Sequence, residues 1–524
     1  MATARLRRLG VIARTDIRLR LRRPATLWTL AILCGLAYSI IPDPASGRAL
    51  LVLGDARAQY SSTTIALVTA TLASMLLSFA GFYLTSNGIR RDLLARTGPI
   101  IAAAPVASAD YLVGKFLGAS GYLATVVGIY LVNILLMHFL RGEAALEPLT
   151  YLAIYLVTLG PVVLVIAAIA LCFECLPVLA GRAGDLLYVV LWAFMLASGA
   201  MSQGGGVLGW LDIPGIGFAL QVVRAGTGST QISMGMVNFD PAQPTWVLPA
   251  IPWSIGFLLP RLGAMLVALP FLLLAWLGFH RFDPARVRVG PRPASAGLLG
   301  RLDHLLRPAT GHLTTGLSRL TLAAPNALRP VLVEANLTVA LRPVGLLVLA
   351  GLSIGTIVAA EPKAMHLLLP LLVAGIGALL ADLSTRDRAN GTQSMLFSAP
   401  RIRSSYAAIK FAAGALIGMA LILPPAARLG LTHPAAAVSL AIGVMFVAAA
   451  ATAFGLLTHS PKAFMAVFLL FFYLVLNGGG VPALDFGGWN GVATWGTRAG
   501  YAVLTLLMLG VAEGCHRREL ARRW

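Results

Sequence analysis

Residues 91–116 read RDLLARTGPIIAAAPVASADYLVGKF, and residues 386–411 read RDRANGTQSMLFSAPRIRSSYAAIKF. Arg91-Asp92, Thr97, Ala104-Pro105, Tyr111 and Lys115-Phe116 recur as Arg386-Asp387, Thr392, Ala399-Pro400, Tyr406 and Lys410-Phe411. Every match lies 295 residues on, without a gap. Each copy follows a hydrophobic stretch. A fixed internal offset indicates duplication, so the chain reads as two related halves that kept one polar segment in the same place.

Outside these segments the chain is apolar. Hydrophobic residues make up 58% and charged residues 11%, with a mean hydropathy of +0.83. A soluble domain carries about 25% charged residues. The composition predicts an all-α polytopic membrane protein. A span needs about 20 mostly apolar residues. Twelve are expected, near 25–41, 62–86, 112–139, 149–173, 186–209, 258–280, 342–360, 364–385, 406–428, 434–458, 463–481 and 498–515. An even number per half makes the halves parallel six-helix repeats rather than inverted ones.

The net charge of +20 is distributed asymmetrically. In this topology only Arg48, Arg57, Arg141, Arg224, Arg261, Lys363, Arg428 and Arg498 face outward, so the remaining Lys and Arg place both termini in the cytoplasm. An integral protein of a bacterial inner membrane is expected. Basic patches interleaved with aromatics are absent, and an anionic leaflet accounts for the arginine excess without nucleic acid. Cys172 and Cys175 form a CxxC with no second pair, which reads as buried small residues rather than a redox or metal site. The N-terminus imitates a signal peptide. However, Leu341-Arg342-Pro343 opens the second half much as Arg22-Arg23-Pro24 opens the first, so the first span reads as an ordinary repeat member.

Residues 1–24 hold eight Arg and one Asp between regularly placed Leu and Ile, a basic amphipathic helix on the inner membrane face. The first six-span unit then covers 25–280. Residues 281–341, rich in Pro, Gly, Ala and Arg with short amphipathic stretches at 297–306 and 313–322, read as a cytoplasmic linker. The second unit covers 342–516, and 517–524 is a tail. His280-Arg281 through Arg286 and His516-Arg517 through Arg522 close the two units alike. The outward loops 210–257 and 478–497 are rich in Gly, Pro and Trp, as a broken or re-entrant segment would be.

In the second copy, Met395, Leu396 and Phe397 sit among polar residues and Pro400 ends any helix there. A short helix along the membrane face is expected, followed by a turn and entry into the next span at Lys410. Asn87 and Asp382 precede the two copies at matching positions and are candidate polar pore or gate residues. Such a segment suits a docking surface. It is also what an interfacial loop left over from duplication looks like.

The arrangement of span, charged residues with Gly-Thr, short apolar run, Ala-Pro, and Lys opening the next span resembles the membrane subunits of ABC type-2 exporters. The resemblance covers the whole chain taken twice, and rests most on Asn390-Gly391-Thr392 through Ala399-Pro400 and Lys410, and on Arg91 through Ala104-Pro105 and Lys115. It implies six spans per unit, an amphipathic elbow helix before the first, and a coupling helix between spans two and three that docks on an ATPase. The implied docking residues are Arg91, Asp92, Thr97, Pro105, Tyr111, Lys115, Arg386, Asp387, Gly391, Thr392, Pro400, Tyr406 and Lys410. Arg-Asp stands where the family has Glu, and Thr97-Gly98 reverses Gly-Thr. A phosphate-binding loop needs G-x-x-x-x-G-K-[ST], and Gly114-Lys115-Phe116 lacks the first Gly and the hydroxyl. No cofactor is expected in this chain, since ATP and Mg would sit on a partner ABC ATPase, present as two copies or a heteropair.

Two rivals remain. Gly377 through Asp382, Arg386 and Arg388 loosely resembles the loop motif of major-facilitator secondary transporters, but Leu383-Ser384-Thr385 stands where that motif has Gly. An intramembrane enzyme is disfavoured because no H-E-x-x-H or G-x-S-x-G occurs. The apolar spans favour a hydrophobic or amphipathic substrate.

Overall fold

The computed structural model describes the chain except residues 1, 23–25, 27–29, 31, 32, 36, 39, 44–46, 55, 96, 177, 178, 180, 181, 203–208, 229, 230, 281, 283–297, 359–361, 478–480 and 524. It divides into two units, Met1–Val289 and Gly290–Trp524. The described residues are overwhelmingly helical. Among the described residues seven helices are long and apolar enough to cross a membrane, or eight with one bent pair included. This is an integral membrane protein built of transmembrane helices.

The first unit contains α1 (Ala2–Leu21), β1 (Arg48–Leu53), β2 (Ala56–Arg57), α2 (Ser62–Thr85), α3 (Gly88–Leu94), α4 (Gly98–Ala103), α5 (Ser108–Arg141), α6 (Pro148–Cys175), α7 (Arg182–Ser202), α8 (Ile216–Thr227), β3 (Ile232–Asn238), α9 (Ile255–Leu266) and α10 (Ala268–Gly278). Of the expected spans, 25–41 falls partly on undescribed residues. Ser61 caps α2 by accepting from the Thr64 N–H, and Pro148 opens α6, where a missing N–H costs nothing. Helices α2 and α6 form the centre, each 78% buried over its most apolar stretch, against 28% for α5. Several hydroxyls that α2 buries bond its own backbone. Thr69, Thr71 and Thr85 donate to the carbonyls four residues back, so these three need no water. In the loops, β1 pairs antiparallel with both β2 and β3. The loop 210–257, expected to face outward, therefore contains a helix and a strand that closes on residues 48–53.

Helix α1 lies on α5 over glycines. A Cβ at Gly114 would stand 2.7 Å from Ile12, one at Gly118 2.8 Å from Asp16, and one at Gly121 2.7 Å from Ile17. Small residues permit close helix approach, and here they bring Asp16 down into the unit.

The second unit contains α11 (Leu298–Ala323), α12 (Arg329–Leu341), α13 (Pro343–Val358), α14 (Pro362–Leu380), α15 (Arg386–Ala389), α16 (Gln393–Phe397), α17 (Pro400–Thr432), α18 (Pro434–Thr458), α19 (Pro461–Asn477) and α20 (Trp495–Arg523). Prolines again open α17 and α18. Helices α14 and α19 are apolar but shorter than α17, α18 and α20. Their packing on α17 and α18 forms a core around Leu372, Ile376, Val444, Val447 and Phe468. The unit begins before the expected boundary at 342. Helices α11 and α12 pack within it, so 298–341 is folded structure and not a linker. Its sparse charge hid it: α12 carries only Arg329 and Glu334, where α1 carries six arginines.

Candidate functional site

The segment after α2 turns sharply. Asn87 takes a left-handed backbone (φ 69°), which Asn tolerates better than most residues. It starts α3, whose Gly88 and Ile89 N–H groups donate to Glu174 at 2.9 and 2.6 Å. Glu174, the Glu of the CxxC stretch, is thus the cap of α3, and Cys172 and Cys175 beside it are buried. In both copies the threonine closes the next turn. The Thr97 N–H and hydroxyl both donate to the Asp92 carbonyl, and Thr392 does the same to Asp387.

Aspartate is the hub of each copy. Asp92 Oδ2 accepts from the Tyr111 hydroxyl at 2.7 Å and pairs with Lys115 Nζ at 2.7 Å. Asp387 Oδ2 accepts from Tyr406 at 2.8 Å and pairs with Lys410 at 2.6 Å. Tyrosine and lysine stand one helical turn apart, so both reach one oxygen. Each ammonium also lies near its own tyrosine ring, 5.6 Å from the centroid in the first copy and 5.2 Å in the second.

The arginine before each aspartate turns the other way, to an acid absent from the repeat. Arg91 Nη2 meets Asp16 Oδ1 of α1 at 2.7 Å. Arg386 meets Glu334 of α12. The lysines reach the same acids, Lys115 to Asp16 at 3.3 Å and Lys410 to Glu334 at 2.7 Å. Helix α12 therefore occupies in the second unit the place α1 occupies in the first. A further arginine anchors each to the end of the second span. Arg20 donates to the carbonyls of Leu84 and Thr85 and pairs with Asp16. Arg342 donates to the Leu379 carbonyl, at the repeat offset from Leu84, and pairs with Asp382. Asp382 is thus engaged in anchoring the second helix pair.

These charges are buried. The side chains of Asp16, Lys115, Lys410 and Asp387 are 1, 8, 2 and 8% exposed. Burial pushes the Asp16 carboxyl up, but Arg20, Lys115 and Arg91 together outweigh it and hold the group below its ordinary value. Buried charges persist only when paired, and removal of one partner costs about 3–5 kcal/mol. The chemistry is that of a brace: every nucleophile and base in it is engaged.

Of the expected docking residues, Tyr111, Lys115, Arg386, Asp387, Tyr406 and Lys410 are buried, Arg91, Asp92 and Thr97 are half-buried, and Pro105, Gly391, Thr392 and Pro400 are exposed. What each segment presents outward is an apolar side chain at one matched position. Ile100 on α4 is 70% exposed and Met395 on α16, 295 residues on, is 78% exposed. Below them, Tyr111 packs on Phe279 and Phe282, and Tyr406 on Phe397 and His516.

The opposite end of each unit holds a second arrangement that sequence reasoning missed. Buried Asp212 accepts from the Ile216 and Phe218 N–H groups. Arg261 pairs with it and donates to the carbonyls of Val157, Thr158 and Ile213. In the second unit Asp485 accepts from the N–H groups of Asn490, Val492 and Ala493. Arg498 donates to Ser439 Oγ and the Ala493 carbonyl. Each pinned loop precedes the last apolar helix of its unit. The available signal was an arginine, Arg261 or Arg498, near the start of an apolar stretch. Residues 281 and 283–286, part of the expected matching ends, and 478–480, in the expected re-entrant loop, lie outside the described residues. Among the described residues no group of three or more His, Cys, Asp or Glu could hold a metal ion.

Compared with family models, with curated proteins and with solved structures, the chain has no match.

Proposed function

We propose that the chain is the membrane-spanning permease subunit of an ATP-binding-cassette exporter of the type-2 kind. Twelve spans, as two parallel six-span units in one polypeptide, form the pathway for a hydrophobic or amphipathic substrate. A separate ATPase, carrying ATP and Mg, docks on the cytoplasmic segments 88–103 and 386–397. Hydrolysis belongs to that partner, so this chain is not itself an enzyme.

One observation carries the reading. In both units a buried acid–arginine–lysine–aspartate–tyrosine brace supports an exposed apolar residue at one matched position, Ile100 and Met395. Surface loops of no function have little reason to keep buried charge, because buried pairs stabilise poorly for their desolvation cost. Rigid support under an exposed apolar knob suits a segment that passes force between a partner and the spans it joins.

The test is co-purification of the full chain with the ATPase that pairs with it. Ile100→Asp with Met395→Asp is expected to leave expression and melting unchanged and to abolish capture. Undiminished capture and transport-coupled hydrolysis would refute the docking assignment.

A further inference from the structure

Helix α11 shows three flanks. Asp303, Thr310, Thr314, Leu317 and Thr321 form the most buried stripe. It faces helices of its own unit: the Val344 N–H donates to Asp303 Oδ1 at 3.1 Å, and Asn336 Nδ2 donates to the adjacent Ser318 Oγ at 2.9 Å. On one side of this stripe lie Leu302, Leu306, Leu313 and Leu320, spaced four, seven and seven residues apart. They are 44, 37, 54 and 60% exposed. On the other side lie His304, His312, Thr315 and Arg319, with Leu305 and Leu322 among them, all exposed. The inward flank is mostly polar and an outward flank is leucine, the reverse of a helix made for water.

Orientation follows from the neighbours. Helices α12 and α13 meet at 96°, so when α13 stands along the membrane normal α12 lies in the membrane plane. Helix α11 runs antiparallel to α12, joined by a short turn in which Arg329 donates to the Leu322 and Ala324 carbonyls, with Ser318 opposite Asn336. It therefore lies in that plane too. Charge selects the surface. Asp303 is the one acid between 298 and 329, and it is turned inward. The outward charge is basic, from Arg307 and Arg319.

We propose that α11 is an interfacial anchor. Its leucine flank is immersed among acyl chains, and its basic flank lies at anionic lipid headgroups, which holds α12 and hence Glu334 in place. Lipid is the occupant because a leucine row and a basic row flanking a helix parallel to the membrane match the acyl and headgroup layers in order.

The test uses the full chain with Cys34 and Cys515 replaced by serine, in nanodiscs, with a spin label at Leu306→Cys, Leu313→Cys, His312→Cys or Thr315→Cys. At 306 and 313, collision with oxygen is expected to exceed collision with a water-soluble nickel chelate several-fold, and at 312 and 315 the order reverses. All four labels open to nickel would overturn the proposal. So would leucine labels shielded from both reagents, which would mean that protein covers the flank. In phosphatidylglycerol-rich discs, removing either Arg307 or Arg319 as glutamine should reduce immersion at 313 about fivefold, the size of one arginine's attraction to an anionic surface. Equal immersion in pure phosphatidylcholine, unchanged by both substitutions, would overturn the headgroup assignment.

Discussion

The two braces do the same work with different parts. In the first unit the acid is Asp16, short, on a helix lowered over Gly114, Gly118 and Gly121. In the second it is Glu334, one methylene longer, and the residues at the repeat offset are Ile409, Ala413 and Leu416. A bulkier floor goes with a longer carboxylate. Asp16 meets three cations, Arg20, Arg91 and Lys115, whereas Glu334 meets Arg386 and Lys410. What was kept is the charge at one point in space and not the residue that supplies it.

The comparison breaks most severely at the lysines. Lys410→Met leaves Glu334 with Arg386 alone and takes from Asp387 its lysine, and should cost about 3–5 kcal/mol. Lys115→Met should cost less, because Asp16 keeps Arg20 and Arg91. Thermal unfolding in detergent, followed by fluorescence-detected gel filtration, checks the order; equal losses would mean that the third cation contributes nothing.

Tyr111→Phe and Tyr406→Phe each remove one hydrogen bond to a carboxylate. A loss of about 1.5–3 kcal/mol is expected in both units, equal within error because both hydroxyls meet aspartate at nearly one distance.

Exchanging the acids sharpens the glycine argument. Glu334→Asp should withdraw the carboxylate from Arg386 and Lys410. Asp16→Glu should crowd the glycine floor at about 1–3 kcal/mol. The double swap should not rescue, since the floors stay as they are. Rescue would disprove the link between acid length and floor.

The smallest expected effect is a pH dependence confined to α1. The folded-state carboxyl of Asp16 lies below its ordinary value of 3.8. A depressed acid contributes stability above its unfolded value and loses it as pH falls through the folded one. Protection of the amides over residues 2–21, taken relative to the intrinsic exchange rate at each pH, should therefore hold at neutral pH and fall only as the medium is acidified below about pH 4. Loss of protection between pH 7 and 5 would contradict it.

Part of the brace was legible beforehand. Arg91, Asp92, Tyr111 and Lys115 stood out with their partners 295 residues on, because a gapless offset is visible in one dimension. Asp16 and Glu334 did not, since they lie 318 residues apart, and the chain between acid and motif differs in length by 23 residues. The contacts span 75 residues in one unit and 52 in the other, and no local periodicity reports a pairing over that distance. Ile100 and Met395 were visible as apolar residues, but whether each faced in or out was not.

The sequence by itself determined the class of molecule and the repeated segment. Hydropathy summed over twenty residues reflects the cost of backbone and charge in lipid, and needs no knowledge of what packs where. Only the tertiary structure decided that the repeated arginine, aspartate, tyrosine and lysine form a buried brace, that α12 stands where α1 stands, and that Ile100 and Met395 of the repeated segments are left outside. Burial and charge pairing are properties of neighbours in space, and the neighbours that matter here lie on separate helices.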